Sequence, residues 1–385
     1  KTQKNKMMAL HNVFFVLLLI ISSLSYSFAL VAQPRSPVAL LTGATGRTGQ
    51  LVTNLLLERG YDVILFCRDE VKARQNFHKE AKEEYKHNKI CFVQGDISCP
   101  EDVQNAFHLN HQQSNDQLVT TSTTSTTSPT HVVFMAGGEG ADYRAVNYKG
   151  VATFAEIAAE CDTVQNFVVI SSAWDTKPYS IASLLFNSIY KDTVPMASHY
   201  LGEQALRNAS STSTISKGKK FNYVILRAGG LNSDENYAKK YPEAAGKGLT
   251  YGQGDEFEFF GFAGRPGMAR SQLANAVVSA MNVDGRYTVE VTGSGATPLD
   301  DSSVYQTLIQ DNTAFSLVPT SQEENIMRIH TQAVEQLKIT AITVSFGGLV
   351  LIGAFGWVQG IILLLSLDAV VLFIWSQFFA NRQAC

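Results

Sequence analysis

Val38-Ala-Leu-Leu-Thr-Gly-Ala-Thr-Gly-Arg-Thr-Gly-Gln-Leu-Val52 is the stretch on which the fold turns. It begins as an apolar run, passes through Gly43, Gly46 and Gly49, and leaves as a helical pattern with Leu51, Leu55 and Leu56 on one face. Strand, glycine turn and helix in that order predict a phosphate-cradling turn of the dinucleotide-binding kind. Gly43 permits the tight turn, Gly46 lets backbone N–H groups approach a pyrophosphate, and Gly49 lets the helix pack closely. Thr45, Arg47 and Thr48 lie in the same turn and join the three glycines as cofactor-binding candidates. The phosphates would meet the positive end of the helix dipole. Spaced glycines alone are often an ordinary turn; the strand before and the helix after them favour the ligand reading.

Working outward, Asp62 to Arg68 reads as a second strand. An NAD-preferring site places an acid near its end for the ribose 2′-hydroxyl. Here Cys67 and Arg68 stand there, with Lys72 a turn later. A guanidinium suits a 2′-phosphate through charge-assisted hydrogen bonds, so the residues predict NADP(H) in preference to NAD(H). The competing reading of Arg68 is a solvated surface charge, or a partner for the adjoining Asp69. A polar helix from Glu70 to His87 precedes a third strand, Ile90 to Asp96. Asp96 is a candidate acceptor for the adenine amino group and Ile97 a candidate ring contact; the alternative for Asp96 is a turn or helix cap before Pro100. His131 to Gly138 is a fourth strand ending in a glycine turn, where Ala136 and Gly137 would pass near the cofactor ribose. Val146 to Cys161 is a helix. Asn166 to Ile170 is a fifth strand ending in Ser171 and Ser172. Repeated strand–helix alternation predicts an α/β doubly wound parallel sheet, a Rossmann fold.

Composition sets bounds. The chain has 385 residues and a net charge of −3, which gives no footprint for nucleic acid. Its cysteines, Cys67, Cys91, Cys99, Cys161 and Cys385, are odd in number and lack CxxC spacing. No disulfide framework or metal site is read from them, which favours a reducing compartment. The tract from Asn110 to Thr130 is rich in His, Gln, Asn, Thr and Ser and lacks the apolar groups for a core. The sequon Asn208-Ala-Ser210 is of a kind common by chance.

The ends carry addresses. Residues 1–29 read as a targeting segment, with Met7 or Met8 a candidate start. Val13 to Ile21 is an apolar h-region, and Ser25-Tyr26-Ser27 precedes Phe28 as a cleavage site. From Phe28 to Leu57 there is no acid, while Arg35 and Arg47 are present. Residues 36–300 form the nucleotide domain, with 110–130 the low-complexity loop and 231–300 the substrate or partner part. Beyond Leu231 regular order gives way to a Tyr-, Gly- and Phe-rich segment, of which 251–264 is a candidate aromatic wall. An amphipathic helix is expected over Arg270 to Met281 and a short last strand over Arg286 to Val291. Residues 301–338 form an amphipathic linker helix with a capping box at Ser321 to Glu324. Ile339 to Phe379 contains one acid, Asp368, and no base, and Gly353 to Gly360 interrupts it. Residues 339–380 therefore read as a C-terminal transmembrane helical hairpin. Lys338 and Arg382 flank it and leave the nucleotide domain on the cytoplasm-equivalent side. Asp368 would contact another helix or a neighbouring protein of a membrane complex.

Several of these stretches resemble the atypical short-chain dehydrogenase/reductase superfamily. They are Thr42 to Gly49, Leu65 to Asp69, Val93 to Asp96, Val146 to Gly150, Val168 to Ser172, Glu203 to Arg207 and Tyr223 to Leu231. The resemblance extends over about residues 37–291. It lies nearest to the branch of NmrA-like regulators, biliverdin and flavin reductases, and chloroplast proteins associated with import translocons and photosystem assembly. It implies that Ser171 lies at the cofactor and that Ser172 holds the place of the catalytic serine. It also implies a Tyr-x-x-x-Lys pair on the next helix, and that pair is missing: Tyr200 is followed at the fourth place by Gln204. His199 holds the position where other members have lysine and is a candidate proton donor; a lone histidine is more often a packing residue. Tyr200 is the remaining catalytic candidate. The expectation is a membrane-anchored NADP(H)-binding oxidoreductase acting on a planar acceptor, a quinone, flavin or tetrapyrrole. Its alternative is a non-catalytic cofactor-binding scaffold or assembly factor of a photosynthetic membrane complex. The N-terminal address resembles that of secondary plastids, which implies a thylakoid or envelope membrane with the domain facing the stroma; a secretory or endoplasmic reticulum membrane is the alternative.

Overall fold

Every residue of β1, Val38–Thr42, is buried, as expected of a central parallel strand covered on both faces. In the computed structural model β1 pairs in parallel with β2, Asp62–Cys67, on one side and β4, His131–Phe134, on the other. The structure describes residues 36–78, 90–108, 128–137, 142–173, 195–218, 221–253, 267–295, 297–299, 301–311 and residue 335. Residues from Pro37 onward form one compact unit. Outward from β2 lies β3, Ile90–Gln94; outward from β4 lie β5, Asn166–Ser172, β6, Asn222–Ala228, and β10, Arg286–Gly295. All these neighbours are parallel. β8, Gly248–Gly252, closes the edge antiparallel to β10, so the order is 3-2-1-4-5-6-10-8. Strand order reverses between β1 and β4, and a crevice at that switch point, outside the strand carboxyl ends, is where such sheets bind ligands.

Helices cover both faces, as the predicted doubly wound sheet requires. On one face lie α1, Arg47–Glu58, and α7, Arg270–Ala280, contributing Val52, Leu56, Leu273 and Val277 to a core shared with Leu41 and Val168. On the other lie α3, Pro100–Phe107, α4, Val151–Glu160, and α5, Pro195–Lys217. Phe154 of α4 centres that core, its ring 5.4 Å from Phe134 and 5.6 Å from Phe66, both edge-on. A short α2, Glu70–His78, follows β2.

The fold departs from the sequence reading in four places. Order persists beyond Leu231: β7, Leu231–Asn232, pairs in parallel with β9, Met268–Ala269, and α6, Asp234–Lys240, is capped by Ser233. These elements are too short for periodicity to reveal. The helix expected to be amphipathic, α7, is buried at Gln272, Leu273, Ala274 and on through Val277 to Ala280, because it lies between sheet and α1. The helix expected over Val146 to Cys161 opens as a π-helical segment, Arg144–Gly150, before becoming α4. The chain from Asp301 to Asp311 belongs to the nucleotide domain rather than to a linker. It forms a 3₁₀ helix, Ser302–Thr307, and buries Tyr305 against Tyr251 and Tyr287.

Among the described residues no helix is long and apolar enough to cross a membrane. The targeting segment, the core of the low-complexity tract, residues 254–266, the capping box and the hairpin with Asp368 lie outside them. The sequon is inside α5, where Ser210 is fully buried and donates to the Phe221 carbonyl at 2.7 Å.

Candidate functional site

The turn after β1 is built from glycine contacts. Gly43 has φ +70°, and a side chain there would meet the Met135 carbonyl oxygen at 2.7 Å. Only glycine lets the β1 and β4 exit turns lie against each other. Thr42 ties the same junction, its Oγ1 accepting from Met135 N at 3.0 Å and Ala136 N at 3.2 Å. Gly49 faces the Gly43 carbonyl and Ala44, so the close approach foreseen for it is to the turn itself rather than to the strand. Gly46 is the N-cap of α1, and Gly46 N donates to Gly43 O at 3.0 Å. No side chain caps α1 and its first turn holds no acid. Among the described residues no side chain serves its leading N–H groups or its positive dipole end, which suits an anion. Thr45 and Thr48 are half-buried in the turn; Arg47 stands exposed at the first helical position.

The adenosine side of the crevice is formed by the ends of β2 and β3. Arg68 is exposed there. Asp69 is not its partner by geometry: its Oδ1 accepts from Lys72 N at 2.9 Å and starts α2. Asp96 makes a turn of its own, its Oδ1 accepting from Ser98 Oγ at 2.6 Å and Ser98 N at 2.8 Å. Those two bonds from Ser98 hold its carboxyl below the ordinary carboxylate value, and the Arg68 guanidinium adds to the effect. The turn alternative for Asp96 is thus realised; Oδ1 is already engaged before any adenine arrives. Ile97 packs on Gly150, where a side chain would meet it at 3.3 Å.

On the other side, the two serines ending β5 part company, since successive strand residues face opposite ways. Ser171 is buried and donates to Glu203 Oε1 at 2.8 Å. Its hydroxyl thus serves the fold rather than lying open to a cofactor. Ser172 is half-buried and its Oγ donates to the Ala173 carbonyl at 3.1 Å. Glu203 is a feature that spacing did not reveal. It also accepts from Arg227 at 2.6 and 2.9 Å and from Arg207 at 3.1 Å. Burial opposes its charge, but Arg227 and then Arg207 override that and hold the carboxyl well below the usual range.

One turn before Glu203, His199 is half-buried against Asn147 of the π-helical segment. Asn147 Nδ2 lies 2.7 Å from His199 Nε2 and 3.2 Å from Nδ1. Burial pushes the imidazole down to about 4; nearby Glu203 opposes the shift and Arg227 adds to it. His199 is therefore neutral at pH 7. Tyr200 packs with Ala197, Leu201 and Tyr148, and burial raises its phenol. Gln204 is buried where a lysine was expected. Burial first, then Glu70 and Asp69, pushes the Cys67 thiol up to about 11, so it is a packing group rather than a nucleophile.

A family model described as NAD(P)H-binding matches residues 43–283, more than half of the chain. Among solved structures, one is a Bacillus halodurans protein described as an NAD-dependent epimerase/dehydratase, with 17% identity and TM-score 0.48, covering 71% of this chain and 100% of its own. The oxidoreductase YlbE of Lactococcus lactis aligns at 13% identity and TM-score 0.45, covering 71% and 99%. ChuY, an anaerobilin reductase of Escherichia coli O157:H7, aligns at 16% and TM-score 0.43, covering 68% and 99%. A comparison with curated protein sequences gives no match.

Proposed function

The chain belongs to the NAD(P)H-binding family, and we propose that it is an NADP(H)-dependent reductase held at a membrane. The observation that carries this reading is the uncapped, acid-free N-terminus of α1 inside a turn that only glycines can form. Gly43, Gly46 and Gly49 make room for a diphosphate, the first N–H groups of α1 receive it, and the exposed Arg68 at the end of β2 supports a 2′-phosphate. When bound, the dinucleotide would supply a hydride to a planar acceptor, a quinone, flavin or tetrapyrrole. The chain's own part is positioning, since Ser172, His199 and Tyr200 offer no tyrosine–lysine acid. The absence of acid in the run Ile339 to Phe379, Asp368 apart, supports anchoring, and the N-terminal segment supports a plastid membrane with the domain on the stromal side.

Titration of the full-length protein with NADPH and NADH tests the cofactor. NADPH should bind at least about ten-fold tighter, and Arg68→Gln should remove most of that margin while leaving NADH unchanged. Equal affinities in the wild type would overturn the preference. Alkaline carbonate extraction of membranes tests the anchor, which fails if the chain washes off. A second reading is favoured by Gln204, buried where the pair's lysine would stand, beside a half-buried Tyr200. It is a non-catalytic NADP(H)-binding scaffold or assembly factor of a membrane complex. NADPH oxidation with quinones, flavins and biliverdin separates the two: binding without turnover selects the scaffold.

A further inference from the structure

Two arginines stand where electrostatics disfavours them. Arg47 is the first residue of α1 and Arg270 the first of α7. The two helices pack against each other, and both run back from the carboxyl edge of the sheet. α1 leaves β1 at that edge, and β9, paired with β7 just beyond β6, delivers the chain to Arg270 there. The N-terminus of a helix is the positive end of its dipole and favours acids, yet neither first turn holds one. Each cation therefore faces an unfavourable dipole as well as the other guanidinium. Burial first, and then the Arg47 charge, push the Arg270 guanidinium below its ordinary value, and Asp234 opposes the shift.

The fold does not settle this charge from within. Neither guanidinium makes a hydrogen bond or an ion pair with a described residue. The acid whose field reaches Arg270 is engaged elsewhere: Asp234 Oδ1 accepts from Ser271 Oγ at 2.8 Å and from Ser271 N at 3.3 Å. Arg47 is exposed and Arg270 half-buried, so both are open to solvent. Beside them Gly230, whose carbonyl accepts from Met268 N at 2.9 Å, has open space where a side chain would stand. Position also separates Arg270 from the anions of the cofactor. The diphosphate meets the N–H groups of α1, and a 2′-phosphate belongs with Arg68 on the far side of β1. α7 lies against β5 and β6, the side to which the second half of a dinucleotide extends and where a hydride acceptor must sit.

We propose that Arg47 and Arg270 form a cationic site for the acidic group, carboxylate or phosphate, of the acceptor. A guanidinium fork matches either group with charge-assisted hydrogen bonds, and a bound anion relieves the repulsion between the two arginines. This rests on the cofactor reading above and narrows its planar acceptor to one that carries an acid.

The test is equilibrium binding to the detergent-solubilised full chain saturated with NADP⁺, using two pairs of planar probes that differ only in their acid: FMN with riboflavin, and biliverdin with its dimethyl ester. The acidic member of at least one pair should bind about ten-fold tighter or better at low salt, and the margin should shrink at about 0.5 M salt. Arg270→Gln should remove most of the margin without weakening the neutral probe, and Arg270→Lys should keep part of it. No margin in either pair overturns the proposal, and so does a margin that Arg270→Gln leaves intact. NADPH is titrated against the same variants. If Arg270→Gln weakens NADPH as much as the acidic probe, the arginine serves the cofactor's phosphates and the acceptor site is overturned. A wild type that binds no NADPH defeats the cofactor reading instead, a result visible before any probe is added.

Discussion

Two histidines, buried His131 and half-buried His199, make the stability of this fold sensitive to mild acid. His131 opens β4, with Thr130 Oγ1 2.8 Å from its Nδ1 and the Tyr61 ring edge-on at 5.5 Å. Burial holds both His131 and His199 down to about 4. Unfolded, each would take up its proton near 6.5. The folded value is the lower one, so between about pH 6.5 and 4 the unfolded chain binds more protons. Stability is therefore complete above about 6.5 and drains as pH falls towards 4, with a ceiling of roughly 3 kcal/mol per histidine. Urea unfolding at pH 7 and pH 4.5 should show the loss, and His131→Phe should reduce it by about 1–3 kcal/mol. An identical loss in the variant would mean that His131 keeps its proton out by some other route. At this scale the sequence was half legible. Gly43 and Gly49 could be placed because glycine spacing states a backbone need. Ser171 and Ser172 could not be sorted, since which serine faces the crevice depends on strand register. Asn147 sat in a quoted motif, and a lone amide in an apolar helix was the only signal it offered.

The element that most depends on distant partners is α5. Read along the chain, Glu203 and Arg207 are an ordinary i, i+4 pair. In the fold they meet Arg227 from β6, and Arg207 donates on to Thr288 of β10 at 2.7 Å, so one carboxylate fastens the helix across three strands including β5 through Ser171. No periodicity contains that information, because it comes from strand order. The strands themselves were legible, since central parallel strands are unbroken apolar runs closed by turns. The π-helical segment was not, because its residues would suit an α-helix and the Gly202 contact that accompanies it is long-range. Breaking the carboxylate should be costly. Glu203→Leu leaves two arginines buried without their shared partner and should lower unfolding free energy by about 3–5 kcal/mol in chemical denaturation. A loss under about 1 kcal/mol would show that water reaches the pair and that the network holds nothing together. Glu203 is also depressed, so its contribution is present above about pH 4.3 and lost only as pH falls further, below the range in which the histidines act.

For the molecule as a whole, the decisive boundary is where the nucleotide domain ends. The sequence reading placed it at residue 300, with 301–338 taken as an amphipathic linker helix. Side chains after that point say otherwise. Tyr305 is 2% exposed in an aromatic cluster with Tyr251 and Tyr287. Asp311 then accepts from Tyr223 at 2.9 Å and Thr288 at 2.6 Å, and lies 3.5 Å from Arg207. Gln253 bridges to the Ile309 carbonyl at 2.8 Å. The segment is thus a strap across the β6, β10 and β8 edge, and its last acid touches the arginine that serves Glu203. A chain ended after Asp300 would empty the Tyr305 site and strip Arg207 of one of its acids, whereas a chain ended after Thr313 would keep both. Vacating an aromatic core position costs roughly 3–5 kcal/mol, and losing the acid adds to that. Thermal melts of the two should therefore differ by roughly 6–20 °C, given about 2–4 °C per kcal/mol for a domain of this size. Restoring only residues 301–308 should recover the larger part of the gap, because that piece carries the ring. If the two melt together, the strap is an ornament, and the domain ends where the sequence first suggested.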